Sequence, residues 1–340
     1  MKPARIALIG ECMIELQQRA DGSLVQGFGG DTLNTAVYLR RLLPADWQVS
    51  YVTALGDDSF SDAMCRSWKE EGIDLSLVQR LPGKLPGMYC IQTDAQGERR
   101  FLYWRNEAAV RDCFTQQGAN DVLGQLEDCA LIYLSGISLA VIGEHGLDAL
   151  LPRLAAARHA GALVVFDNNY RPRLWRDRTH AAHIYGQVLP LVDIALLTFE
   201  DEQSLFGDAD TATVFQRYAQ AGTLHVVLKR GADSCLVEQA FKCYEVPAEP
   251  VANVVDTTAA GDSFNAGYLA AWLQGATPAR AAVEAHALAA RVIQHPGAIM
   301  PRARSNKTAL KNGFRSGGGA LGEARNIAES ADEAKNGWRS

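Results

Sequence analysis

The chain has 340 residues, 48% of them hydrophobic, and a formal net charge of −6. That length supports one large α/β domain or two ordinary ones, and the acidic balance argues against a general nucleic-acid binder, which needs a basic face. Seven cysteines, with no Cys-x-x-Cys pair and no Cys/His cluster at metal spacing, fit free thiols in a reducing compartment rather than a disulfide framework or a zinc site.

The first segment, MKPARIALIGECMIEL, holds an apolar run of about five residues between charges, too short for a signal-peptide core or a membrane span. The expectation is a cytoplasmic protein with no membrane partner. Within that segment RIALIG (5–10) ends on glycine, as buried strands often do. The same form returns in VSYVTALG (49–56), ALIYLSG (130–136), ALVVFDNN (162–169), IALLTF (194–199) and HVVLKRG (225–231). Helical stretches lie between them: TLNTAVYLRRL, SFSDAMCRSWKEEG, HGLDALLPRLAAARHAG, EDEQSLFG and VFQRYAQAG. Strands alternating with helices predict a parallel sheet covered on both faces, with ligands bound beyond the carboxyl ends of the strands. The polar residues at those ends are Asp57, Ser135, Asp167, Asn169, Thr198, Lys229 and Arg230.

Residues 87–110, GMYCIQTDAQGERRFLYWRNEAAV, break the alternation and predict two strands around a turn at Asp94–Gly97. Together with 11–28 they are expected to form a small antiparallel sheet projecting from the main domain. A hairpin carrying Tyr89, Tyr103, Trp104 and Arg105 reads as a lid over a site or as a solvated surface hairpin. From Arg304 the chain turns polar and glycine-rich. The expected organisation is one domain over 1–302 followed by a poorly ordered tail over 303–340.

Four stretches bear on chemistry. In GFGGDTLNTAVYLRRL (27–42) paired glycines precede a helix whose first turn holds Asp31 and Asn34; a plain turn is the simpler reading. FDNNYRPRLW (166–175) stands at the end of an expected central strand and carries Arg171 and Arg173, which suit a phosphate or carboxylate clamp or an ordinary surface. VVLKRGADSCLV (226–237) is a wall of a nucleotide pocket or a plain hairpin. DTTAAGDSFNAG (256–267) puts small residues and a carboxylate where a helix begins. A helix start attracts anions through its unpaired N–H groups and dipole, and small side chains let an anion approach. An ordinary helix cap by Asp262 is the alternative.

In chain order these stretches resemble the ribokinase-like (PfkB) carbohydrate kinases. GGDTLN and DTTAAGDSFNAG are similar to that family's two signatures, and the resemblance covers roughly residues 4 to 302. It implies an α/β fold: a three-layer α/β/α domain with a mainly parallel central sheet and a small β-sheet lid. It also implies ATP as phosphoryl donor, Mg²⁺ as cofactor and a monovalent cation as a further option. IGECMIEL, FGGDTLNT, YWRNEAA, FDNNYRPRLW and KRGADSC resemble the branch of the family that phosphorylates 2-keto-3-deoxygluconate at O6.

Carried over residue by residue, the resemblance makes Asp262 the base that takes the proton of the attacking hydroxyl. The backbone N–H groups of Ala259, Ala260 and Gly261 become the anion hole for the transferring phosphoryl. Gly30, Asp31 and Asn34 lie against the sugar, Tyr89, Tyr103 and Arg105 reach down from the lid, and Arg171 completes the grip. Asn169, Thr198, Lys229, Gly231, Asp233 and Gly261 fall on the nucleotide side. Two positions depart from the family pattern. Ala259 stands where many members have glycine, which leaves the N–H donor in place. Thr198-Phe199-Glu200-Asp201 replaces an Asn-x-x-Glu stretch, leaving Asp201 as the metal-side residue, through water, with Glu202 as its alternative. Lids in this family often pair edge to edge, so a homo-oligomer fits the resemblance.

Three rival readings remain: a kinase of a neutral ketose or related deoxy acid, a nicotinamide-dependent oxidoreductase, and a non-catalytic sugar-binding regulator. The arginine pair favours an acid substrate, because a neutral sugar needs no such clamp. RIALIGECMIEL lacks a G-x-G-x-x-G fingerprint. A pure binder has no need of a base at Asp262.

Overall fold

The computed structural model describes residues 4–302, apart from Ala20, 94–98 and Gln117. The chain starts with β1 (Ala4–Ile9), makes a first excursion through β2 (Met13–Gln18) and β3 (Leu24–Gly29), and returns through α1 (Asp31–Leu42). There follow β4 (Trp47–Leu55), α2 (Ser59–Glu70) and the short β5 (Val78–Arg80), then a second excursion through β6 (Met88–Thr93) and β7 (Arg99–Trp104). The second half runs α3 (Ala119–Gly124), β8 (Leu131–Ser135), α4 (Gly136–His159), β9 (Leu163–Asp167), α5 (Arg178–Val188), β10 (Ile194–Thr198) and α6 (Phe199–Phe206). It closes with α7 (Thr211–Ala221), β11 (His225–Lys229), β12 (Cys235–Gln239), β13 (Lys242–Val246), α8 (Ala260–Leu273) and α9 (Pro278–Val292).

Nine strands form the main sheet in the order β13-β12-β11-β10-β9-β8-β1-β4-β5. Pairing is parallel from β5 to β11 and antiparallel across β11, β12 and β13. Side chains alternate across each strand, so one strand feeds two cores. Ile6 and Leu8 of β1 join Tyr133, Val165 and Leu196 in a core shared with α1, α8 and α9. Ala7 and Ile9 join Ile132, Val164 and Leu197 in a second core under α3, α4, α5 and α7. Two apolar faces, each covered by helices, make the three layers the sequence predicts.

Helix α8 is buried along its whole length from Asp262 to Leu273. Gly267 lets it approach α9, because a Cβ there would lie 2.9 Å from the Ala285 Cα. Among the described residues no helix is long and apolar enough to cross a membrane.

The second sheet, β3-β2-β6-β7, is the expected small sheet with one correction. β2 and β6 run parallel, while the two outer pairings are antiparallel. Each excursion is a hairpin that leaves the main domain on its first strand. The two outgoing strands pair side by side, so they point the same way. The turn expected at Asp94–Gly97 and the tail over 303–340 lie outside the described residues. β5 and β13 have no counterpart among the expected strands; they are a three-residue edge strand and a mostly exposed one, with little apolar signal in either.

Candidate active site

The carboxyl ends of β8, β9 and β11 face the first turns of α1 and α8, where Ser135 meets Asp31 and both Asp167 and Lys229 meet Asn265. Asp57 and Arg230 bond elsewhere, to the Gly83 N–H and to Ser234 and Glu245 respectively. Asp262, in the first turn of α8, is buried, and its Oδ2 accepts a hydrogen bond from Asn34 Nδ2 at 2.8 Å. Thr35 Oγ1 donates to the Asp262 carbonyl at 3.3 Å, so two residues of α1 hold the start of α8. Asp31 Oδ2 accepts from Ser135 Oγ at 2.6 Å and from Asn169 Nδ2 at 2.8 Å. Asn169 reaches Asp31 from a left-handed backbone (φ 28°), a conformation asparagine tolerates better than most residues.

The neighbouring Asn168 holds that bend. Its Oδ1 accepts from the Asn169 and Thr198 N–H groups, both at 2.9 Å, and its Nδ2 donates to the Thr198 carbonyl at 2.9 Å. The ends of β9 and β10 are thereby tied together. Asp167 Oδ2 accepts from Tyr133 OH at 3.2 Å and Asn265 Nδ2 at 3.0 Å, while Lys229 Nζ lies 3.6 Å from Asp167 Oδ1 and donates to Asn265 Oδ1 at 2.8 Å. A Cβ on Gly261 would lie 3.8 Å from Lys229 Nζ, which sets the ammonium beside the start of α8.

Three carboxylates, Asp31, Asp167 and Asp262, thus crowd together, with the Lys229 ammonium acting on Asp167 and Asp262. Burial pushes the Asp262 carboxyl well above the usual carboxylate range, and repulsion from Asp31 adds to it, against the Asn34 hydrogen bond and Lys229. Asp31 is raised too, by burial first, with the Ser135 hydrogen bond opposing. A buried carboxylate crowded by like charge binds a proton strongly, which suits a general base.

The start of α8 differs at one donor from the anion hole expected there. Ala259 is the N-cap, with no side-chain cap bond, and the Ser263 N–H donates to the Ala259 carbonyl at 2.9 Å. The Ala260 N–H, expected to face the phosphoryl, donates instead to the Thr257 carbonyl at 3.1 Å. Asp256 holds this turn by accepting from the Thr258 N–H at 3.0 Å and the Gly297 N–H at 2.9 Å. The N–H groups of Ala259 and Gly261 are the other two donors of the expected set.

A profile of the pfkB family carbohydrate kinases matches residues 3–304. The chain belongs to this family. It is 51% identical over 305 residues to the 2-dehydro-3-deoxygluconokinase of Dickeya dadantii, covering 88% of this chain and 98% of that one. It is 49% identical over 302 residues to the 2-dehydro-3-deoxygluconokinase of Escherichia coli, covering 88% and 97%. The fructokinase of Xylella fastidiosa, solved with bound ATP, superposes with a TM-score of 0.73 at 27% identity, covering 88% of this chain and 94% of that one. The protein is therefore a carbohydrate kinase of the ribokinase-like fold.

Other expected site residues of this pfkB kinase sort by element. Tyr89 and Tyr103 face each other across β6 and β7 with ring centroids 5.8 Å apart. The Tyr89 hydroxyl donates to the Glu15 carboxylate. Arg105 lies with its guanidinium carbon 5.9 Å from the centre of the Tyr103 ring and forms a buried ion pair with Glu11. Arg171 is half-exposed, donating to the Tyr170 carbonyl at 2.9 Å and to Asp201 Oδ1 at 3.4 Å. The two arginines expected to share a substrate carboxylate therefore each hold another partner here. Gly30 is required where it stands, since a Cβ would overlap the Glu11 carbonyl oxygen. Gly231, at φ 60°, turns the chain between β11 and β12, and the exposed Asp233 closes that turn with its N–H on the Arg230 carbonyl at 3.0 Å.

Asp201, the residue expected on the metal side, accepts from the Tyr170 N–H at its Oδ2 at 3.3 Å, and burial, offset by Arg171, pushes its carboxyl up to about 6. Glu202, the alternative, is withdrawn from the site: it is fully buried and bonded to Asn168, Tyr218 and Arg217. Burial dominates even its pairing with Arg217 and raises its carboxyl to about 7. Sequence reading missed Glu11, Asn168 and Asn265. Their only signals were position: Glu11 two residues after a strand, Asn168 in the Asn-Asn doublet, and Asn265 one helical turn after Asp262.

Proposed function

We propose that the kinase transfers the γ-phosphoryl group of ATP to O6 of 2-keto-3-deoxy-D-gluconate. The observation that carries this is the buried Asp262, set by Asn34 at the start of α8 with Lys229 beside it. In this reading the 6-hydroxyl gives its proton to Asp262 as its oxygen bonds to phosphorus and the bond to ADP breaks. The N–H groups of Ala259 and Gly261, the helix dipole and Lys229 stabilise the charge on the phosphoryl oxygens. Gly30, Asp31, Asn34, Tyr89 and Tyr103 hold the sugar, and Arg105 and Arg171 orient its carboxylate. Asn169, Thr198, Gly231 and Asp233 complete the nucleotide side; Asn169, bonded to Asp31, sits at its border with the sugar.

Among the described residues no group of three or more His, Cys, Asp or Glu is placed to hold a metal. Such a site suits Mg²⁺ carried in on the nucleotide phosphates, because Mg²⁺ keeps several waters and needs few protein ligands. Asp201 would hold it through water. When bound, the ion neutralises charge on the β- and γ-phosphates. The relatives named 2-dehydro-3-deoxygluconokinase support the acceptor, and the seven free cysteines fit a cytoplasmic enzyme.

The test is a coupled ADP-release assay across 2-keto-3-deoxygluconate, its galactonate epimer and fructose, with the position of the phosphate read by NMR. Arg105→Ala should raise KM for the sugar acid roughly ten- to hundredfold, as loss of a charge-assisted hydrogen bond does, and leave KM for ATP unchanged. Preference for fructose, or equal losses on both sugars, would overturn acid recognition.

A further inference from the structure

Glu11 has no role in the reaction just described, yet it is 2% exposed and touches every passage of the chain between the two sheets. The first passage, from β1 to β2, is Glu11 itself. The second is Gly30, after β3, where a Cβ would overlap the Glu11 carbonyl oxygen. The third is Gly87, before β6, where a Cβ would lie 2.6 Å from Glu11 Oε1 and 3.1 Å from Arg105 Cβ. The fourth is Arg105, after β7, whose Nη2 bonds Glu11 Oε2. Two polar atoms of this pair stay buried without a hydrogen-bond partner: Glu11 Oε1 and Arg105 Nε. A guanidinium offers five N–H donors in one rigid plane, so one edge can be anchored while another meets a second carboxylate.

We propose that Glu11 is the positioning residue for the sugar acid: its carboxylate anchors one edge of Arg105 at the root of the lid and turns the other edge to the substrate carboxylate. This rests on the reading of Arg105 as the acid contact. Glu11 also offsets the charge of Arg105, so the pair recognises the acid through the direction of its donors rather than through net charge. Without the anchor the guanidinium keeps only its contact with the Tyr103 ring, 5.9 Å away, and its in-plane orientation is lost.

Kinetics of Glu11→Gln, Arg105→Ala and the double variant test this, with circular dichroism to confirm folding. Glu11→Gln should raise KM for 2-keto-3-deoxygluconate about tenfold, the scale of one charge-assisted hydrogen bond, with KM for ATP unchanged. In the Arg105→Ala background the same change should add nothing, since Glu11 acts through Arg105. Gly87→Ala, which crowds Glu11 Oε1 without altering charge, should raise the same KM, and it serves as the test if Glu11→Gln does not fold. A Glu11→Gln effect that persists in the Arg105→Ala background, or that is equal for fructose, makes Glu11 a structural hinge and overturns the proposal. If Arg105→Ala raises KM for the acid while Glu11→Gln and Gly87→Ala do not, this inference alone falls. If Arg105→Ala leaves that KM unchanged, acid recognition by Arg105 falls and takes the inference with it.

Discussion

Replacing Asp262 with asparagine isolates its proposed proton-accepting role from its shape. The amide keeps an oxygen to accept the 2.8 Å bond from Asn34, and Lys229 and the start of α8 stay in place. What disappears is the acceptor for the hydroxyl proton. General-base catalysis contributes about 10²–10⁴ in rate, which is about 2.7–5.5 kcal/mol of barrier. Turnover in a coupled ADP-release assay should fall by that factor while the binding of ATP is preserved. Stability should move the other way. Burial, then repulsion from Asp31, holds the folded-state pKa of Asp262 well above the unfolded value of 3.8. A raised folded-state pKa gives stability that is full below the unfolded value and lost as pH rises through the folded one. Asparagine does not titrate, so the variant should melt above the wild type at neutral pH, and the two should converge as pH falls toward about 4. A variant with more than about a tenth of wild-type turnover would fall outside the general-base range and refute the assignment.

Three further outcomes follow from the same geometry. Activity should vanish in excess chelator and return with Mg²⁺ or Mn²⁺, because a divalent ion is needed to offset charge on the nucleotide phosphates; full turnover in chelator would contradict this. Burial sets the Asp201 carboxyl at about 6, so it is charged above that pH and neutral below. KM for Mg-ATP should therefore rise as pH falls through that value, and Asp201→Asn should abolish the change; an identical pH profile in the variant would remove Asp201 from the metal side. Gly30→Ala should lower stability by about 1–3 kcal/mol through overpacking against the Glu11 carbonyl, read as a drop in Tm; an unchanged Tm would show that the lid root yields freely.

Much of the architecture was legible because it is local. Apolar runs ending in polar residues, separated by helical stretches, dictate a parallel sheet with two covered faces, and each strand's alternation feeds both cores. The proposed chemistry of DTTAAGDSFNAG is local as well, since the helix start, the small residues and the Asp262 carboxylate lie close together in the chain. Tertiary structure decided the partners. Asp262 meets Asn34 from 228 residues away, Asn169 meets Asp31 from 138, and Arg105 meets Glu11 from 94. It also decided that β2 and β6 run parallel and that Glu202 is buried away from the site. A proton's affinity for Asp262 or Asp201 depends on burial and on charges brought in by other strands, and no window of sequence contains either. Sequence determines which groups can act; the convergence of strand ends determines which of them face one another.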